Sequence, residues 1–303
     1  MLKKYEQACR RYPELSNLGI QSIWIPMKHK KIILISLLAL TATPASALVV
    51  MISDLSPAGA PIEDFFSNNF SNVTEIRHGD FANFSNSQDA LNGTGAFAGM
   101  GAADVFVIGR SLSSGGYDAG DADGYNGISI PFINMTSYTA REAGNRLGWH
   151  TGSAGNTGSR NGAETTLTLA GAALLGAPVG TYDLWTDDPN FNGIGTSTNV
   201  GTGDILATLG GNILAAHWDI GDAPGNVTNA GVATFPGVRL LLNIDNEPNA
   251  GNSGANDFTG LTPEGLAAYA GVIGATTPLA PVPEPSTGIL GLLGAGLMLR
   301  RRR

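Results

Sequence analysis

Leu48-Val49-Val50-Met51-Ile52 is an unbroken apolar run, rich in β-branched residues. A strand with one wet face alternates apolar and polar side chains, so a run without alternation must be covered on both faces, as in a parallel sheet. Such a sheet needs helices between its strands. The residues that follow supply them. After a loop at Ser53 to Pro57, Pro61 to Phe66 opens a helix with Glu63 and Asp64 in its first turn, where the helix dipole favours acids. Val73 to Arg77 reads as a second strand, Ser87 to Leu91 as a helical turn, and Asp104 to Gly109 as a third strand. Ile128 to Met135 reads as a fourth, followed at once by helix-forming residues from Thr136 to Leu147. Strand–helix alternation from Leu48 to about Trp149 predicts an α/β fold with a doubly wound, mostly parallel sheet.

The second half is more β-like. Thr165 to Leu169, Thr181 to Trp185, Ile213 to Ile220 and Val238 to Ile244 are expected strands, and Gly201 to Asn212 a turn-rich excursion. Thr262-Pro263-Glu264-Gly265 opens a last helix, with Thr262 as N-cap, Pro263 at the first helical position and Leu266 to Ile273 packing. In open α/β sheets ligands sit outside the carboxyl ends of the strands. Any site should therefore include Ser53-Asp54, Arg110-Ser111 and Thr136-Ser137, which follow three of those ends.

The strand order, the strand ends Val107-Ile108-Gly109-Arg110-Ser111 and Pro131 to Tyr138 (PFINMTSY), and the closing GVRLLLNIDN…LTPEGL together resemble the class I glutamine-amidotransferase-like superfamily, with its ThuA-like branch. The resemblance covers roughly Leu48 to Ile273 and implies a flavodoxin-like, amidotransferase-like sheet. The nucleophile of the amidotransferases is a cysteine. The only cysteine here is Cys9, outside this region, so amidotransferase activity is not implied. Members lacking the nucleophile serve as binding or structural modules, and that is the expectation carried over.

Both ends of the chain carry addresses. Met27 to Lys31 is a basic stretch, Ile32 to Leu40 an apolar one, and Thr43 to Ala47 ends in the small-x-small pattern that signal peptidase cuts. Cleavage is expected after Ala47, with Met1 to Pro26 an extension from a start called too early. At the other end, Pro283-Glu284-Pro285 precedes an uncharged run of 13 residues, Thr287 to Leu299, and four arginines, Arg300 to Arg303. At about 1.5 Å per residue that run spans roughly 20 Å of a roughly 30 Å hydrocarbon core, enough for a transient inner-membrane insertion and poor as a permanent anchor. The arginines stay cytoplasmic, which leaves the Pro-Glu-Pro motif on the outer face. This tail resembles the PEP-CTERM sorting signal read by exosortases. The resemblance implies an exosortase partner and a protein exported to the cell surface or an exopolysaccharide matrix. The expected organisation is 1–26 extension, 27–47 signal peptide, 48–274 ectodomain, 275–281 linker and 282–303 sorting signal, with a hydrophobic helix at each end.

Charge agrees with export. All five lysines precede Ala47, and between Leu48 and Ala280 six arginines face 22 acids, a formal charge of −16. Such a surface repels nucleic acid and anionic lipid, so no nucleic-acid partner is expected. With no cysteine after Cys9 there is neither disulfide nor thiolate metal site.

Three kinds of site are conceivable. Ser111 after the third strand, with Asp187 (or Asp183) and His217, has the Ser…Asp…His order of an α/β hydrolase, although a nucleophile elbow wants glycine where Ser113 stands. Asp118, Asp121 and Asp123 alternate through a Gly-rich loop, the pattern of a calcium site, though without the distal bidentate glutamate. Asp245, Glu247 and Asp257 form a second acidic group, while His78, His150 and His217 lack zinc-ligand spacing. Trp149, Trp185 and Trp218 offer aromatic surface for a sugar of the exopolysaccharide, or else fill the core. The ectodomain is accordingly expected to be a non-catalytic binding or structural module, the alternative being a degenerate serine hydrolase.

Overall fold

The structure, a computed structural model, describes residues 22–23, 35–36, 47–54, 61–78, 84–95, 101–109, 114–118, 120–159, 165–185, 190–246, 256–258 and 260–280. The chain divides into two compact units, Met1–Ser46 and Ala47–Arg303. In the first, Ser22–Ile23 pairs antiparallel with Ile35–Ser36, the latter inside the apolar run expected to be helical. The C-terminal apolar run and the Pro-Glu-Pro motif lie outside the described residues. Neither expected terminal helix is found among the described residues, and no helix there is long and apolar enough to cross a membrane.

The second unit is built on one mixed sheet. Its first half comprises β1 (Leu48–Ser53), α1 (Pro61–Asn69), β2 (Val73–His78), α2 (Phe84–Asn92), β3 (Val105–Ile108), α3 (Ala122–Asn126), β4 (Phe132–Asn134) and α4 (Ser137–Ala140). Next come β5 (Ala154–Ser159), β6 (Thr165–Leu167), α5 (Leu169–Leu175), β7 (Gly180–Tyr182) and β8 (Asn190–Gly195). The last part holds β9 (Asp204–Leu209), β10 (Asn212–Trp218), α6 (Val227–Ala230), β11 (Arg239–Leu242), β12 (Asp245–Asn246), β13 (Asn256–Asp257) and α7 (Pro263–Thr276). The strand order is β2-β1-β3-β4-β11-β10-β9-β6-β7, with the β5–β8 hairpin joined to β10 through Gly195 and Ile213.

The neighbours from β2 to β11 are all parallel, and those from β11 to β7 all antiparallel. The sheet is therefore not mostly parallel. Its second half is antiparallel throughout, and there β9 and β10 are joined directly by a short turn, which a parallel return could not use. The β9–β10 turn shows this. Gly210 (φ 55°) and Gly211 (φ 83°) both take left-handed conformations, the geometry of a two-residue hairpin. The segment expected as a turn-rich excursion thus contains a six-residue strand.

The unbroken apolar runs face two cores. Val50, Ile52, Val105, Val107, Leu240 and Leu242 lie under α1 and α7, where Phe65 stacks on Phe258 at 4.1 Å between ring centres. Val49, Met51, Phe106, Ile108, Phe132 and Leu241 face the other way, beneath α2 and α3. Here Trp149 meets Phe132, Trp218 and Phe235 edge-on at 4.9, 5.5 and 5.9 Å. This is the two-sided covering that the Leu48–Ile52 run demands.

Two expected helices changed in extent. The one expected over Thr136 to Leu147 ends at Ala140, because Arg141 is extended and Gly144 (φ 78°) and Asn145 (φ 54°) are left-handed. The last helix starts as expected, with Thr262 Oγ1 accepting from Gly265 N at 3.0 Å, and runs on to Thr276. Beyond it Leu279 is buried and Ala280 O accepts from Ser71 N, so the segment expected as a linker is docked as far as Ala280.

β11 joins the two halves, and Arg239 fixes its start. The side chain is fully buried. It donates to the carbonyls of Asn126, Ile128, Ile130 and Val238, and its guanidinium lies over Phe132 and Phe235 at 5.4 and 5.2 Å. Burial pushes its pKa down to about 9, so it is still a cation at neutral pH. The same bonds explain why the strand expected from Ile128 begins only at Phe132: the carbonyls of 128 and 130 are turned to the guanidinium. Arg239→Met strips four carbonyls of their donor and should cost about 3 kcal/mol or more in urea unfolding. Arg239→Lys should recover less than half, since one ammonium cannot span the four acceptors. A loss under about 1 kcal/mol for the methionine variant would contradict this role.

Candidate functional site

The carboxyl ends of the parallel strands form a polar layer, and the chain fixes it closely. At the end of β1, where successive connections leave in opposite directions, Ser53 and Asp54 are fully buried. Ser53 Oγ bonds Tyr117 Oη, and burial drives the Tyr117 phenol well above its usual pKa. Arg77 stands 3.6 Å from Asp54 and 3.1 Å from Glu63. Among the described residues, these side chains pack against one another at the end of β1.

A second group closes the ends of β4 and β11. Asn134 Oδ1 accepts from Thr136 N and from Thr139 Oγ1. Asn243 Oδ1 accepts from Ser137 N at 2.8 Å, its Nδ2 donates to Ile213 O, and its carbonyl accepts from Tyr269 Oη. His150 arrives from the loop after α4, where Glu142 holds Gly152 N and Asn226 Nδ2. The His150 Nδ1 faces the Thr151 carbonyl at 2.9 Å. A carbonyl only accepts, so Nδ1 carries the proton and Nε2 the lone pair. Burial lowers the imidazole pKa, with the Thr151 and Ser137 backbone pulling the other way, so the ring is neutral.

Ser137 Oγ and His150 Nε2 both crowd Gly195. A Cβ there would lie 3.1 Å from the hydroxyl and 3.2 Å from the nitrogen, a close approach that would push these side chains back by a few tenths of an ångström. Neither atom has a hydrogen-bond partner, and both residues are fully buried. The two atoms both face Gly195 but do not hydrogen-bond each other, short of the contact a base and nucleophile share. In this conformation the pair is sealed from substrate.

Of the residues expected at a site, Ser53 and Asp54 are buried at the end of β1 and Thr136 and Ser137 at the end of β4, two strands away. Ser111, Arg110 and Asp187 lie outside the described residues. His217 is on β10, three strands from β3 and so roughly 14 Å across the sheet. It sits 3.8 Å from Asp219 with its pKa lowered by burial. Asp118 Oδ1 accepts from Gly120 N and Asp123 Oδ1 from Gly124 N, so these carboxylates serve their own turn. Among the described residues no group of three His, Cys, Asp or Glu side chains is placed to hold a metal ion. The tryptophan surface is corrected outright: Trp149, Trp185 and Trp218 are at most 2% exposed and cannot stack on a sugar. Trp149 and Trp218 instead donate to Asn126 Oδ1 and Val200 O, as core indoles do. His150 and Asn243 were not legible as partners of Ser137. Asn243's only signal was a polar residue directly after an apolar strand, and His150, in the loop after α4, carried none.

Comparison with known proteins bears on the tail. Residues 281–303 match the PEP-CTERM protein-sorting motif. The chain therefore carries the signal of an exported protein that exosortase processes. No curated protein and no solved structure matches the chain, so the amidotransferase-like resemblance of the ectodomain draws no support from that side.

One acid near this edge titrates in the neutral range. Burial raises Glu75 on β2 to about 7; the Ser67 hydroxyl at 2.9 Å opposes this, while the charges of Glu63 and Asp64 add to it. The folded state then holds a proton that the unfolded state releases near 4.5. Stability from this group is present below pH 4.5 and lost as pH rises to 7. Discounted for its half-exposed position, the loss is about 1 kcal/mol. Glu75→Gln should match the parent at pH 4 and exceed it by that amount at pH 8. An equal difference at both pH values in chemical denaturation would contradict the assignment.

Proposed function

We propose that this chain is an exported protein, handled by an exosortase through its tail. Its α/β ectodomain would act as a non-catalytic binding or structural unit at the cell surface or in an exopolysaccharide matrix. The sorting motif at 281–303 carries this reading. The lysine-free, −16 ectodomain supports it, because such a surface stays soluble and avoids anionic lipid. The strand-end layer supports it too, since most of the described polar groups there bond one another or the backbone. Signal peptidase acts first in this scheme, after Ala47, and the short run 287–299 holds the chain in the inner membrane until the tail is processed. In the parallel half we take the order β2-β1-β3-β4-β11 as flavodoxin-like, with a broken antiparallel extension in place of further crossovers.

A second reading, a degenerate serine hydrolase acting on extracellular esters or glycans, has one observation in its favour: the unpartnered Ser137 and His150 pair. It requires turnover of a soluble ester by the exported protein that Ser137→Ala removes; the binding reading requires none. The address is tested by deleting Pro283 to Arg303. The truncated protein should leave the surface fraction and accumulate elsewhere. Unchanged arrival at the surface would refute the sorting role.

A further inference from the structure

The loop that leaves α4 brings two arginines together. Arg141 ends the helix in an extended conformation, and its guanidinium lies over the Tyr138 ring at 5.0 Å. Arg146 is fastened back on the same loop. Its Nη1 donates to Gly144 O at 2.7 Å and its Nε to Ser114 Oγ at 3.4 Å. Between the two, Gly144 is left-handed (φ 78°) and exposed. A Cβ on it would lie 3.7 Å from Arg141 Nη2 and 3.9 Å from Arg146 Nη2. Both guanidiniums therefore face the space that this glycine leaves open to solvent.

Neither arginine pairs with a carboxylate among the described residues. Their neighbour Glu142 is turned to Gly152 N and Asn226 Nδ2. Burial and the charge of Arg146 both lower the Arg141 pKa. In an ectodomain with 22 acids against six arginines, two cations facing each other without an acid stand out. Like charges this close repel unless an anion stands between them.

We propose that the space over Gly144 binds the phosphate group of a small soluble molecule, held between the Arg141 and Arg146 Nη2 groups. A carboxylate has two oxygens, and one guanidinium fork satisfies both. A tetrahedral phosphate has oxygens for two forks and a second negative charge for the second arginine. The acidic body around the pair repels polyanions and anionic bilayers, which favours a small ligand over a polymer or a lipid headgroup. The site gives the binding reading above a ligand class, but it stands on the arginine geometry alone, whatever the tail does.

The test titrates protein recovered after export at pH 7.5 and constant ionic strength, following the backbone amides of Gly144 to Arg146 by two-dimensional NMR. Inorganic phosphate and glycerol phosphate are the probes, and acetate is the comparison. Phosphate should shift these amides saturably and bind at least fivefold tighter than acetate. Whichever phosphate probe binds more tightly identifies the free ion or an ester as the source. Arg141→Gln and Arg146→Gln should each weaken phosphate binding at least fivefold. Gly144→Asp supplies an anion of its own, and Asp and Asn both tolerate left-handed backbone. It should abolish phosphate binding and melt about 2 °C or more above its uncharged isostere Gly144→Asn, although the body is already acidic. The proposal is overturned if phosphate gives no saturable shift, if acetate binds as tightly, or if phosphatidic acid vesicles sediment the protein. It is overturned equally if both glutamine variants bind as the parent does, or if Gly144→Asp melts no higher than Gly144→Asn.

Discussion

Everything in the ectodomain meets at β11. Its four residues, Arg239 to Leu242, are all buried. One edge continues a parallel sheet through β4, and the other begins an antiparallel one through β10. A strand in that position must be apolar on both faces, and its first residue must satisfy the bends where two topologies meet. Arg239 does so. A planar cation with five donors is the one side chain that serves four carbonyls from two segments at once. Its charge has no carboxylate beside it among the described residues; carbonyl dipoles and two aromatic faces stabilise it instead. Phe132 and Phe235, which flank the guanidinium, also contact Trp149, so the seam and the aromatic core are one packed body.

Among the described residues, the carboxyl ends of the parallel strands carry Ser53, Asp54, Tyr117, Asn134, Ser137, His150 and Asn243, bonded largely to one another or to the backbone.

How much of this the sequence disclosed follows from the period of each element. β1, β3 and β11 were plain because strands buried on both faces are continuous apolar runs. α7 was plain because Thr262 and Pro263 mark a helix start chemically. β9 was hidden between Gly201-Thr202-Gly203 and Gly210-Gly211, whose glycines look like loop although the second pair is a hairpin turn. β5 and β8, AGNTGS and NFNGIG, carry no strand pattern, and their pairing is irregular, with register shifts at Asn190, Asn192 and Ile194. Ser137 and His150 come together only because the intervening loop leaves helix at Arg141 and returns through an Arg141–His150 bridge. Local propensity holds no trace of that return. The three tryptophans were ambiguous for a simpler reason: one aromatic residue serves a core and a sugar equally well, and only burial separates the two.

The central claim is that the tail is a temporary handle and the folded ectodomain its cargo. The two are physically distinct. One is a 13-residue uncharged run with a basic end; the other is an acidic, lysine-free body whose main sheet joins a parallel and an antiparallel half at β11. The most direct check is the intact mass of the protein recovered from outside the producing cell. The account predicts a chain that begins at Leu48 and has lost Thr287 to Arg303. A mass that retains the apolar run and the four arginines would contradict it.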